Sequence, residues 1–168
     1  EKVDGVEYVY RKRNDFLPYG LDYFLSFLSL FFILKYRCNR DKPDILHGGN
    51  IQTAGFLCSL TRYRPFLLMP YGSDALIIPK KNFLLNFLTK YVVKSSDSIT
   101  CDAITVKKSL LSLTDYKKEV LVFPWGVDQS IFNPKVNPKE LKRSLGLEGK
   151  TILLCSRAHY KVYGIEYL

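Results

Sequence analysis

One tryptophan, one methionine and two histidines are all that 168 residues contain of those types. His47 and His159 lie far apart, and the four cysteines (Cys38, Cys58, Cys101, Cys155) stand singly, with no Cys-x-x-Cys pair. No metal-ligand spacing results, so no metal is expected. Lone cysteines in or beside apolar segments read as small buried hydrophobes of a reducing, cytoplasmic compartment. No apolar run reaches the about 20 residues that a transmembrane helix needs. The longest, 21–34, carries Asp22 and meets Lys35 and Arg37 at its end. A buried helix of an α/β layer is the preferred reading of it, with a membrane-surface helix as the alternative. No signal peptide, internal repeat or low-complexity segment shows. The chain starts at Glu1 and stops at Leu168 inside an apolar helical pattern, so it reads as a fragment that is expected to be inactive alone.

What the chain does contain is ordinary globular composition, 47% hydrophobic and 24% charged, with 12 tyrosines and 11 phenylalanines. So many large apolar groups exclude disorder. The net charge of +9 favours anionic partners: nucleic acid, acidic lipid or phosphorylated small molecules. The densest basic cluster is Arg11-Lys12-Arg13, and Lys35, Arg37, Arg40 and Lys42 form a second. Neither interleaves with aromatics as an RNA-stacking platform does, and no nucleic-acid motif is present. Both read as solvated loops or helix ends, and nucleic acid is disfavoured as a partner.

Strand and helix patterns alternate along the chain. Strands are expected over 6–10, 43–46, 65–69, 98–101, 119–123 and 151–155. Helices are expected over 21–34, 51–63, 82–94, 103–113 and 138–145, with Gly146 as a stop, and a last one starts at 163. Such alternation means an α/β fold: a Rossmann-like parallel sheet with helices on both faces. Val122-Phe123-Pro124-Trp125-Gly126-Val127-Asp128 ends a strand at a proline, turns at a glycine and carries an acid two residues on. Pro134 then breaks the chain again, as expected at a junction between two α/β domains. The domains are accordingly set at 1–133 and 134–168.

Three strand ends could reach a ligand. At His47-Gly48-Gly49-Asn50, glycines let backbone amides approach a ligand, although a plain tight turn explains them equally. At Tyr71-Gly72-Ser73-Asp74, Gly72 fits a turn, and Ser73 or Asp74 can cap the following helix, the functional reading being that Asp74 faces a cleft and holds a sugar hydroxyl. At 156–164, Arg157 and Lys161 beyond a strand end, with a helix start behind, suit a pyrophosphate as well as they suit a solvated loop.

These pieces, in this order, resemble the retaining glycosyltransferases of family four, which have the GT-B fold. Pro43-Asp44-Ile45-Leu46-His47 is similar to the family's strand that opens with Pro-Asp. Tyr71-Gly72-Ser73-Asp74 resembles its Gly-Ser-Asp turn, with Tyr71 where many members carry histidine. Ser96-Asp97-Ser98-Ile99-Thr100 resembles its Ala-Asp strand start. The Pro-x-Gly-Val-Asp run, then Phe132-Asn133-Pro134, resembles its domain junction. Residues 152–168 resemble the first strand, basic loop and helix of the donor domain, with Ser156 in place of a glycine and Lys161 one place early.

The resemblance implies a hexosyltransferase-type enzyme that moves a sugar from a nucleotide-sugar donor to an acceptor with retained configuration, without metal or other cofactor. The acceptor would be a glycan, such as a polysaccharide precursor, or a lipid-linked molecule. Arg157, Lys161, Gly126 and Asp128 would fall on the donor side. His47, Gly48, Gly49, Tyr71, Gly72, Ser73 and Asp74 would line the acceptor side and cleft. The family's first glycine-rich strand-turn-helix would precede Glu1, and its catalytic glutamate pair would follow Leu168. Two other readings stay open: a non-catalytic basic α/β domain that binds nucleic acid, and a GT-B nucleotide-sugar epimerase. The apolar run 21–34 and the lysine-edged helix 82–94 could together seat the protein peripherally on an anionic membrane surface.

Overall fold

In a computed structural model, residues 5–7, 18–156, 158 and 164–167 are described. The chain divides into two compact units, Glu1–Trp125 and Gly126–Leu168.

The first unit is an α/β layer. Helix α1 (Tyr19–Asp41) leads into β1 (Leu46–Gly49), a π-helical turn (Ile51–Gly55), α2 (Phe56–Thr61) and β2 (Phe66–Met69). There follow α3 (Ser73–Leu76), a 3-10 turn (Ile78–Lys80), α4 (Phe83–Ser95), β3 (Ser98–Cys101), α5 (Ile104–Leu113) and β4 (Val120–Val122). All four strands are parallel, in the order β1-β2-β3-β4. The parallel α/β class is the one the alternation of patterns implies.

Register explains which residues are buried. Leu46 pairs with Phe66, Leu68 with Ile99, and Ile99 with Val120. Paired residues share a face of a parallel sheet, and these five belong to one core with Val92, Val93, Val106 and Leu110 from the helices. Cys38, Cys58 and Cys101 are buried in the same core as free thiols. Burial pushes the Cys58 thiol up to about 11, so it packs as a small hydrophobe. The alternate strand positions His47, Leu67, Met69 and Leu121 are exposed or partly so.

Local signals set the element ends. Asn82 caps α4, its side-chain oxygen accepting the Leu85 N–H at 2.9 Å. Lys42 closes α1 in the left-handed conformation and donates its N–H to Cys38 O.

Three expectations change. Gly48 and Gly49 are the last two residues of β1 rather than its turn, and Asn50 (φ 58°) makes the turn. A Cβ on Gly48 would lie 3.0–3.2 Å from Cys58 Sγ, Phe66 and the Gly55 backbone, so glycine there lets the next helix approach the strand. Helix α1 is buried on one side only: Leu21, Phe24, Leu25, Phe32 and Tyr36 are exposed, while Cys38 joins the core, Leu34 packs against it and Phe27 stacks on Phe56 of α2. Among the described residues, no helix is long and apolar enough to cross a membrane. Of the strand expected at 6–10, residues 6 and 7 are not in a strand and 8–10 lie outside the described residues.

The second unit holds α6 (Lys139–Ser144), which ends as expected at Gly146 (φ 65°), and a 3-10 turn at Ile165–Tyr167. The strand expected at 151–155 does not form. A strand exists only through pairing, none of the described residues pairs with this segment, and Leu153 and Leu154 stay 86% and 87% exposed.

Candidate functional site

In a parallel sheet the carboxyl ends of the strands are where ligands bind, because loops there can diverge and helix starts converge. Two of the three strand-end turns singled out by sequence, those after β1 and β2, meet at that edge and are joined by one carboxylate. Asp74 is fully buried. Its Oδ2 accepts the Ile51 N–H at 2.9 Å, and its Oδ1 accepts the Tyr71 N–H at 2.9 Å. A buried carboxylate is tolerated when its oxygens accept such bonds, and here they fix the turn after β1 to the turn after β2.

A side chain that sequence reasoning passed over strengthens the joint. Gln52 Nε2 donates to Asp74 O at 2.8 Å and to Thr89 Oγ1 at 2.9 Å, which ties the π-helical turn to α3 and α4. Its Oε1 is buried without a partner among the described residues. Gln52 sits two residues beyond Gly49-Asn50, but nothing in its local spacing points to the π-helical turn that aims it inward.

Above this joint lies Tyr71. A Cβ on Gly49 would fall 2.1 Å from the Tyr71 hydroxyl oxygen, so the phenol lies against the Gly49 backbone. The ring is 59% exposed and carries both a flat apolar surface and a polar tip. Gly72 has φ 107°, which only glycine adopts at little cost. It also takes the N-cap position of α3, so neither Ser73 nor Asp74 caps that helix. Ser73 is exposed, and so is His47, which lies on the strand face away from the core.

Burial assigns Asp74 a different part from the one sequence offered it. With no exposed surface and both oxygens bonded to backbone, it holds the edge together rather than a sugar hydroxyl. Tyr71, the Gly49 backbone and Asn50 are the groups this edge presents. The phenol can donate or accept a hydrogen bond, and its ring can pack on the apolar face of a ligand.

Gly126 and Asp128 belong to the second unit. Gly126 is outside the left-handed region, and a Cβ there would meet nothing within 4 Å, so the sharp turn read from sequence does not require glycine. Asp128 Oδ1 accepts from Ser130 Oγ at 2.6 Å and from the Ser130 N–H at 2.9 Å. The Ser130 hydroxyl, then its N–H, hold the Asp128 carboxyl below its ordinary range. Its backbone oxygen accepts from Ile131 and Phe132, so Asp128 organises a local turn. Arg157 and Lys161 lie outside the described residues. Among the described residues, no group of three or more His, Cys, Asp or Glu side chains could hold a metal ion.

No family model and no curated protein matches the chain.

Proposed function

We propose that the chain is part of a retaining, nucleotide-sugar-dependent glycosyltransferase. In this reading its first unit serves the acceptor and its second begins the donor-binding domain. The observation that carries the reading is the joining of two strand-end turns at the carboxyl edge of a parallel sheet. Asp74 ties the Gly49-Asn50 turn to the Tyr71-Gly72 turn there, where an α/β sheet receives ligands.

In such an enzyme the exposed Tyr71 ring and the Gly49 backbone would receive part of the acceptor. A pyranose ring packs on an aromatic face through its apolar C–H side, and the phenol offers a hydroxyl a partner. Arg157 would hold the donor diphosphate with planar paired donors, and Lys161 would add a point charge. A cation at the departing diphosphate stabilises charge that grows in the transition state, which is electrostatic catalysis.

The complete protein of which this chain is read as a part should be titrated with UDP-, GDP- and ADP-sugars beside its Arg157→Ala variant. Saturable binding that the substitution weakens by more than about 1.4 kcal/mol, a factor of ten, is the expected outcome. A folded protein that bound none of the donors would remove the reading.

A further inference from the structure

We infer that helix α4 is a docking face for an anionic phospholipid surface. This goes beyond the sugar-transfer reading and does not depend on it. Helix α4 turns Thr89, Val92 and Val93 into the core. Its opposite face carries Phe83, Leu84 and Phe87, which are 84%, 69% and 60% exposed. Residues 83, 84, 87, 90, 91 and 94 all fall within about a third of a turn at ~100° per residue. One face of one helix therefore holds three bare apolar side chains, Tyr91 and two lysines. Lys80 and Lys81 precede it and are exposed.

Charge complementarity selects the occupant. Residues 75–96 contain four lysines and no acid. Lys94 pairs with Asp115 at 2.6 Å. Lys80, Lys81 and Lys90 make no ion pair among the described residues. Beside the helix, Arg64, Phe87, Lys90, Tyr91, Lys94 and Ser95 line an open cleft of about 560 Å³. Arg64 and Lys118 share Asp97, the other acid nearby. A second copy of this chain would bring the same unpaired lysines into contact with these, which like-charge repulsion opposes. A nucleic acid would use the aromatic rings, but Leu84 offers a base no stacking surface. An anionic bilayer takes both features at once: apolar side chains enter the headgroup boundary while lysines meet lipid phosphates.

Helix α1 also exposes apolar residues, but its basic flank is partly neutralised, leaving Lys35 and Lys42 without an ion pair among the described residues. Arg37 pairs with Glu7 and Asp41, and Arg40 pairs with Asp41. Three lysines unpaired among the described residues thus accompany the bare apolar face of α4, against two on the flank of α1.

The test is co-sedimentation of the full chain with vesicles of phosphatidylcholine alone and of phosphatidylcholine with phosphatidylglycerol. Binding to the anionic vesicles only is expected. Lys81→Gln with Lys90→Gln should weaken it about tenfold or more, and Phe83→Ser with Leu84→Ser should weaken it similarly by removing inserted surface. All four side chains are exposed, so folding survives these changes. Lys139→Gln with Lys142→Gln, the same charge change on α6, should leave binding within about twofold if attraction is local. Equal binding to both vesicle types would overturn the proposal. So would an equal loss from the α6 variant, or a single-stranded oligonucleotide bound through α4 while vesicles are not.

Discussion

The two edges of the sheet are each tied by one aspartate, in opposite surroundings. At the carboxyl edge Asp74 is fully buried and, among the described residues, its side-chain oxygens accept only backbone N–H groups, from Ile51 and Tyr71. At the amino edge Asp97 is a third exposed. It accepts the Phe66 N–H at 2.8 Å but also faces Arg64 at 3.0 Å and Lys118 at 3.1 Å. Each joins neighbouring strands, β1 to β2 through the turns in one case and β2 to β3 in the other. Water can reach the groups that Asp97 holds, whereas the Ile51 N–H that Asp74 accepts is buried. The edge built without mobile cations is the carboxyl edge, the one at which parallel α/β sheets in general receive ligands.

Asp74→Ala separates the two edges most. It strands the buried Ile51 N–H, worth about 1–3 kcal/mol when unsatisfied, and the part-buried Tyr71 N–H, worth less because water can reach it, and it leaves a space where the carboxylate was. A loss of about 2–4 kcal/mol is expected, read as a fall in urea midpoint at unchanged slope. Asp74→Asn keeps the shape and one acceptor, and should recover part of it. If Asp74→Ala cost no more than Asp97→Ala, burial would not be what distinguishes the edges.

The neighbouring glycines sharpen the same contrast within one strand. An alanine at Gly48 meets Cys58 Sγ, Phe66 and the Gly55 backbone at 3.0–3.2 Å, all packed. Overpacking of this kind costs about 1–3 kcal/mol. An alanine at Gly49 meets the Tyr71 phenol, which is half in water and can swing aside. Its cost should be smaller, about 1 kcal/mol, and should largely vanish in a Tyr71→Ala background. A Gly49→Ala cost that survived loss of the ring would mean that backbone, not Tyr71, demands glycine there.

The elements of the first unit were legible because their patterns are local. Strands at 66–69, 98–101 and 120–122 and helices at 83–95 and 104–113 show apolar spacing and end signals in sequence. Burial was less so. The run 21–34 is apolar all round, and no local pattern says that only part of it finds a neighbour. At the site, the Tyr71-to-Asp74 turn and the Gly48-Gly49 pair were visible as glycine and acid beside strand ends. Their joining was not, because the Asp74–Ile51 bond spans 23 residues and depends on the sheet bringing β1 beside β2. The same limit hid Gln52. Residues 151–155 look like a strand by composition, but a strand is a relation to a partner, and composition carries no partner.

Asp97 supplies the smallest effect and the one with a pH signature. Its surroundings pull both ways: burial raises its pKa, while the Phe66 N–H, Lys118 and Arg64 lower it, and the balance lies below the ordinary 3.8. A carboxyl depressed in the folded state binds fewer protons than in the unfolded chain. Its contribution is therefore present in full above the unfolded value and is lost as pH falls through the folded one. The stability difference between wild type and Asp97→Asn should stay constant from neutral pH down to about pH 5 and shrink progressively below it. Urea midpoints at several pH values measure this directly. Added salt should reduce the difference as well, since Arg64 and Lys118 are both about half exposed. A difference that grew on acidification would mean that Asp97 is destabilised as an anion, with desolvation outweighing its partners. In that case the amino edge would owe its strength to the strands themselves, and only the carboxyl edge would be tied by an acid.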